Sequence, residues 1–413
     1  MKHNLKINKN IWYASSMILL LTFVFTFVAT VSPAHAGVNA EKSVSQTAIS
    51  NYLAAQANPA LSDQQKIKAA IDAYFTARYE GQKLLKTQNF SVLLKDTSLP
   101  WVKKENDKRQ IELYIAKLFG LKYLSYAYQL KYEAISIQKN QAVIQLRESH
   151  QVVFEATTPT VSKMANLLHS IALYNRNGSW VISTDEYQDD LSSELNHMTK
   201  ADILKKVDSN YQAQFQQHQA TPEFQPKVNP FLASHAYNRS AAYTYAEKWA
   251  TVLVNPNYPR VSAGDCTSFV SQAMYAGMGF TPPNMAGMGT LGSNSQWYFN
   301  YTTPTDFTSP WAGVPSQFTF LTRTDTTRKG PYGTESYSYC AVQWGDVVQI
   351  IDPAAPGNNT WNHEAIVVHA GNPCTALSSK TIDAHDNDHM DYPLSNWAGY
   401  TLHFILIQGW YGN

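Results

Sequence analysis

Apolar residues at Ile67, Ala70, Ile71, Tyr74 and Phe75 recur with helical spacing and predict an amphipathic helix over 61–84. A second helical pattern covers 107–121, and the stretch before the first helix, to about Asn58, reads as polar and without an element. The period then changes to two. Segments 127–138, 141–155 and 167–184 alternate in places and are rich in Val, Ile and Tyr, which predicts three antiparallel strands in hairpin order. Lys139-Asn140 supplies the first corner. Asn177-Gly178, inside the last segment, is a strong hairpin signal and allows a fourth strand.

From Ser192 to Ala236 the chain turns polar and rich in Gln, with a helix predicted near 200–217 and then Pro222, Pro226 and Pro230, so it reads as a linker. After it, 237–252 has helical spacing. Gly264-Asp265-Cys266 opens another helix, with Asp265 as a good N-cap and Phe269, Val270 and Ala273 on a buried face. Two strands follow, one from Asp346 to Ile351 and one from Asn362 to Val368, separated by a loop rich in Pro, Gly and Asn. The segment Thr381 to His385 alternates, sending Ile382 and Ala384 one way and Asp383 and His385 the other. The expected organisation is a leader at 1–36, an α+β accessory domain at 59–191, a linker at 192–236 and a second α+β domain at 237–413. Helices followed by a curved antiparallel sheet give the first domain a pattern similar to the cone-shaped nuclear-transport-factor folds. No His, Asp and Cys cluster stands out there, so it reads as an accessory or spacer module, with room for a ligand pocket in the concave sheet.

Composition narrows the function. The chain has 413 residues and is 44% hydrophobic, enough for globular cores, and its 32 Lys plus Arg nearly balance its 31 Asp plus Glu. With no strong field, nucleic acid is not an expected partner. Lys2, Lys6 and Lys9, the apolar run from Met17 to Val31 and Ala34-His35-Ala36 form a signal peptide with cleavage before Gly37. The rest of the chain is therefore expected outside the cytoplasm, as a secreted protein with no stable membrane span after cleavage. An uncleaved run from Ile11 to Val31 would instead be long enough to anchor the chain. Three cysteines, Cys266, Cys340 and Cys374, leave at least one unpaired within the chain, and a free secreted thiol calls for a chemical reason.

Cys266 falls in the first turn of its helix, where backbone N–H groups and the helix dipole are expected to lower the thiol's pKa and to hold an oxyanion. His363, at the start of a strand, can act as its general base. A third group on the neighbouring strand should orient that imidazole, His385 in the first instance and Asp383 in the second. Asp386 and Asp388 lie in the following turn, where capping is the economical reading. The spacing of His385 and His389 does not match a zinc site, no Gly-rich phosphate loop is present, and neither metal nor cofactor is expected.

Several ordered blocks carry a resemblance: YNRSAAYTYAEKW, DCTSFVSQAMYAG, Trp297, SPWAGV, GDVV, HEAIVV and DAHDND, from Tyr237 to near Trp410. They resemble the putative amidase domain family of bacterial secreted proteins, a branch of the papain-like clan related to the NlpC-type and CHAP hydrolases. The resemblance implies a papain-like helix and antiparallel sheet, Cys266 as nucleophile, His363 as base and His385 as orienting residue. It also implies cleavage of an amide bond in peptidoglycan or another cell-wall peptide. The alternatives are an inert wall- or surface-ligand binding module on the same fold, or an acyl transferase. If the strands around Asp346 and His363 form a hairpin centred near Gly357, Cys340 and Cys374 lie close enough for a disulfide.

Overall fold

The computed structural model describes residues 44–216, 234–252, 255–261, 265–281, 296–300, 306–323, 329–351, 360–371 and 377–412. The expected signal peptide, Gly357 and Cys374 lie outside these residues. Among the described residues no helix is long and apolar enough to cross a membrane.

The chain is α+β, with a mostly antiparallel sheet. The first described elements are α1 (Val44–Ala57), in a stretch that reads as polar in the sequence, and α2 (Asp63–Leu84). A capping box between Ser62 and Gln65 starts α2, and its predicted apolar positions Ile67, Ala70, Ile71, Tyr74 and Phe75 are all buried. α3 (Pro100–Phe119) begins earlier than predicted because Pro100 suits the first turn, and it stops at Gly120 with φ 71°.

Four strands follow: β1 (Tyr123–Gln138), β2 (Gln141–Phe154), β3 (Val161–Arg176) and β4 (Ser179–Glu186). The β3–β4 turn has Asn177 at φ 54° and Gly178 at φ 87°, the pair of left-handed residues that Asn-Gly readily supplies. At the β1–β2 corner the left-handed residue is Lys139 rather than Asn140.

α4 (Asp190–Glu194) and α5 (Lys200–Gln216) occupy much of the expected linker. Ile203 and Val207 of α5 are fully buried in the same core as Ile111 and Ile115 of α3, so this part of the chain is packed rather than spacing. Then come β5 (Ser234–His235), α6 (Arg239–Trp249), α7 (Asp265–Gly277), α8 (Ser309–Ala312), α9 (Val314–Thr322) and β6 (Gly330–Ser336). The chain closes with β7 (Val347–Ile351), β8 (His363–His369), β9 (Thr381–Ala384), β10 (Asp388–Pro393) and β11 (Thr401–Tyr411).

The strands form one sheet in the order β1-β2-β3-β10-β9-β8-β7-β11-β5, with β4 on β3 and β6 on β11. β3 is the branch point. Its residues 163–165 pair with β10, while 170–176 pair with β4. The sheet thus runs across the expected boundary between accessory and C-terminal domains, and residues 42–413 form one compact unit. One core repeats the join, uniting Ile111 and Phe119 of α3 and Val152 of β2 with Val348, Ala365, Ile382 and Phe404 of the C-terminal strands.

Candidate active site

α7 carries the site. Phe269, Val270 and Ala273 pack with Ile366 and Val368 of β8, which holds the helix against one face of the sheet. Two tryptophans from the resembling blocks fix it from the other side. The Trp297 indole donates to the Ser271 hydroxyl at 3.0 Å, and Ser271 donates to the Trp311 carbonyl at 2.8 Å. Arg239 of α6 pairs with Asp346 at 2.6 Å, and the Asp346 carboxylate also accepts the backbone N–H of Ile407 at 2.9 Å. Burial pushes Asp346 up to about 6 against the opposing pull of Arg239. The sequence blocks that looked like separate landmarks are therefore mutually bonded parts of one scaffold.

Cys266 lies in the first turn of α7, as the sequence predicts, and it is a free thiol. It is buried, with 3% of its surface exposed. Burial, with the Asp386 and Glu364 carboxylates beside it, pushes the thiol well up. This corrects the expectation of a thiol acidified by its helix N-terminus, because the loss of water and two nearby acids outweigh the hydrogen bonds that the Thr267 hydroxyl and the backbone of Glu364 make to the sulfur. Glu364 is itself fully buried, accepts from Gln349 at 2.6 Å and from the Thr267 hydroxyl, and is pushed up to about 8 by burial.

His363 begins β8, as expected, and is half-buried. Side chains alternate along that strand. Ala365 and Val367 share one core with Trp397, whereas Ile366 and Val368 share another with α7. The His363 ring lies 5.2 Å from the Trp397 ring. No hydrogen bond joins it to the Cys266 sulfur among the described residues.

His385 has other partners than the expected one. Its Nδ1 bonds Asp265 at 2.8 Å, its Nε2 bonds the Trp249 carbonyl at 3.1 Å, and its ring stacks on Phe269 at 4.1 Å. Both nitrogens are thus committed to tying α6 to the start of α7. Asp383 is buried elsewhere, accepting the Asp391 N–H at 2.8 Å; burial first and then Glu247 raise its pKa. The reason lies in register. β8 and β9 pair Ile366 with Asp383 and Val367 with Ile382. That pairing ends with β9 at Ala384, so His385 and Asp386 lie in the turn beyond it, where Asp386 has φ 62°, and the ladder does not bring His385 beside His363.

The residue that meets both candidates is Asp386, which the sequence assigned to capping. Its Oδ2 accepts the backbone N–H of Cys266 at 3.2 Å. The residue is exposed, yet surrounding protein hems in its carboxyl group and raises its pKa, while the charge of His363 opposes that rise. Asp386 and Asn387 open onto a cleft of about 860 Å³ whose far wall includes Trp101, Lys104, Arg147 and Asn166 of the N-terminal region. Cys340 is disulfide-bonded, which leaves Cys266 as the free cysteine among the described residues.

The N-terminal region also buries a charged network that its sequence did not signal, because the members come from separate elements. Arg78 lies 3.6 Å from Glu105 and 3.8 Å from Glu148, and His169 bridges Glu148 at 3.0 Å and Asp185 at 2.9 Å. Among the described residues no group of three or more His, Cys, Asp or Glu side chains is arranged to hold a metal ion.

Residues 236–407 match the family described as putative amidase domain. No curated protein matches the chain.

Proposed function

We propose, starting from the putative amidase domain that residues 236–407 constitute, that the chain hydrolyses an amide bond through a thioester on Cys266. The observation that carries the reading is Asp386, bonded to the Cys266 N–H and within electrostatic reach of His363, which makes it the common neighbour of nucleophile and base. The arrangement is a resting one. The thiol is neutral, and the Asp386 carboxylate occupies the backbone donor that an oxyanion would use. In the reactive conformation, which the chain samples before substrate binds and which substrate selects, His363, the first residue of β8, swings round the start of the strand from Trp397 toward the sulfur and Asp386 engages the ring, which frees the Cys266 N–H; catalytic hydrogen bonds commonly tighten only in the substrate complex.

The Cys266 proton then passes to His363, and sulfur attacks the carbonyl carbon. The C–N bond breaks, the amine leaves with the proton held by His363, and water hydrolyses the thioester to a carboxylate and the free thiol. The fold around this step is read as papain-like, with Asp386 taking the orienting role first given to His385. Peptidoglycan or another cell-wall peptide is the proposed substrate, which suits a secreted chain. Digestion of purified cell wall by the wild type and Cys266→Ala tests the proposal, with new ends identified by mass spectrometry. The wild type should release amide-cleavage products and the variant none; equal release by both rejects cysteine catalysis.

One observation favours a second reading. A sulfur 3% exposed, with its proton held by burial and neighbouring carboxylates, is also what a structural cysteine looks like, and a binding module on the same fold would keep it so. Wall binding without cleavage in the same digestion would select that module.

A further inference from the structure

We infer that Asp190, on α4 in the N-terminal region, is a positioning residue for the Cys266–His363 site, so that the N-terminal region completes the site instead of merely accompanying it. The inference rests on the amidase reading above. Asp190 reaches across to the two features that flank His363. Its Oδ1 accepts the Asn387 side-chain N–H at 2.7 Å, and its Oδ2 accepts the Trp397 indole N–H at 2.6 Å. Asn387 is the neighbour of Asp386, and Trp397 is the ring against which His363 lies.

The turn that Asp190 holds needs holding. Asp386 has φ 62° and Asn387 φ 97°, two successive left-handed residues, a conformation that side-chain-bearing residues adopt at a cost unless their surroundings impose it. Asp190 is itself held. Its neighbour Asp189 caps α4 through the Ser192 N–H at 2.8 Å and forms an ion pair with the buried Lys108 of α3. A continuous chain of polar contacts therefore runs from α3 through α4 to the turn that presents Asp386.

The charge is suited to the role. Burial works against an ionised Asp190, but His389 at 3.6 Å, His363 and the Trp397 hydrogen bond outweigh it and hold the carboxyl well below the usual range. Asp190 touches His389 and Trp397 and lies within electrostatic reach of Tyr392 from β10 and His363 from β8, and the acids within reach of His363 are Asp190 and Asp386. Asp190 thus adds a fixed negative charge on the His363 side and supports the imidazolium that forms when the thiol gives up its proton.

The test follows iodoacetamide alkylation of Cys266 by peptide mass spectrometry between pH 6 and 9. It uses the full chain as wild type, Asp190→Asn, Asp190→Glu, Asn387→Gly and His363→Ala. Asp190→Asn should slow alkylation near neutral pH by about tenfold and move the profile toward that of His363→Ala, with partial recovery in Asp190→Glu. Asn387→Gly loses the same hydrogen bond at a position whose φ suits glycine, so it carries the test should Asp190→Asn fail to fold. It should shift the profile in the same direction by a smaller amount. Wild-type profiles in Asp190→Asn and Asn387→Gly alongside an altered His363→Ala profile would overturn the positioning role and leave the Cys–His reading standing. A wild-type profile in His363→Ala would overturn both.

Discussion

In the N-terminal part of the sheet, acids and bases are buried together; beside the Cys266 sulfur, the acid Glu364 is buried against the neutral side chains of Gln349 and Thr267. Glu105 illustrates the first case. Burial opposes its charge, but Arg109, Arg78 and Lys108 outweigh that and hold its carboxyl well below the usual range, and Glu148 is held down likewise by Arg78 and His169. His169, between Asp185 and Glu148, is raised to about 9 despite its burial. Glu364 illustrates the second case, pushed up to about 8 by burial against the opposing hydrogen bonds of Gln349 and Thr267, and the Cys266 thiol is pushed up too. The first arrangement keeps its charges fixed over the neutral range and acts as structure. The second holds protons that can be moved, which is what acid–base chemistry requires.

The contrast can be broken in two places. The larger effect is expected at Arg78, which sits among Glu105, Glu148 and Tyr187. Arg78→Met removes the cation shared by Glu105 and Glu148, which keep Arg109, Lys108 and His169, and should lower unfolding free energy by about 3 kcal/mol, measured by denaturant titration at neutral pH. A loss within about 0.5 kcal/mol would mean that the network does not depend on its cation.

The smaller effect is expected at Glu364 and has a definite sign. Its folded pKa of about 8 lies above the ordinary carboxylate value, so the folded state binds the extra proton, and stability falls as pH rises from about 4.5 through 8. Glu364→Gln removes that loss. The variant should gain on the order of 2 kcal/mol over the wild type at pH 9 and little at pH 5, read from denaturation midpoints at both. An equal difference at the two pH values would remove Glu364 from the set of proton-holding groups.

The same division governs what could be read from the chain alone. Local signals were reliable: the five apolar positions of α2, the Asn-Gly turn and the placing of Cys266 in the first turn of α7 all depend on neighbours in sequence. α1 was not legible, because Ser45, Tyr52 and Gln56 are its buried residues and they make no apolar stripe. β11 was not legible either. Ten of its eleven residues, Leu402 to Tyr411, include few polar groups and lack the alternation that marks a half-exposed strand, since both faces are covered.

The join of the two regions depends on three residue pairs between β3 and β10, more than 200 positions apart, for which no local pattern exists. The candidate site divides in the same way. Cys266 and His363 could be nominated from their immediate surroundings. Asp386 could not, because its bond to the Cys266 N–H joins residues 120 positions apart, and Asp190 could not, because it arrives from another part of the fold.

The most direct measurement is the trapping of the acyl-enzyme. Rapid acid quenching of the wild type during turnover of a cell-wall peptide, followed by peptide mass spectrometry, should find the acyl fragment as a thioester on the peptide containing Cys266. The adduct should be absent in His363→Ala. Amide cleavage that proceeds with no adduct at Cys266, and at the same rate in Cys266→Ser, would contradict the account.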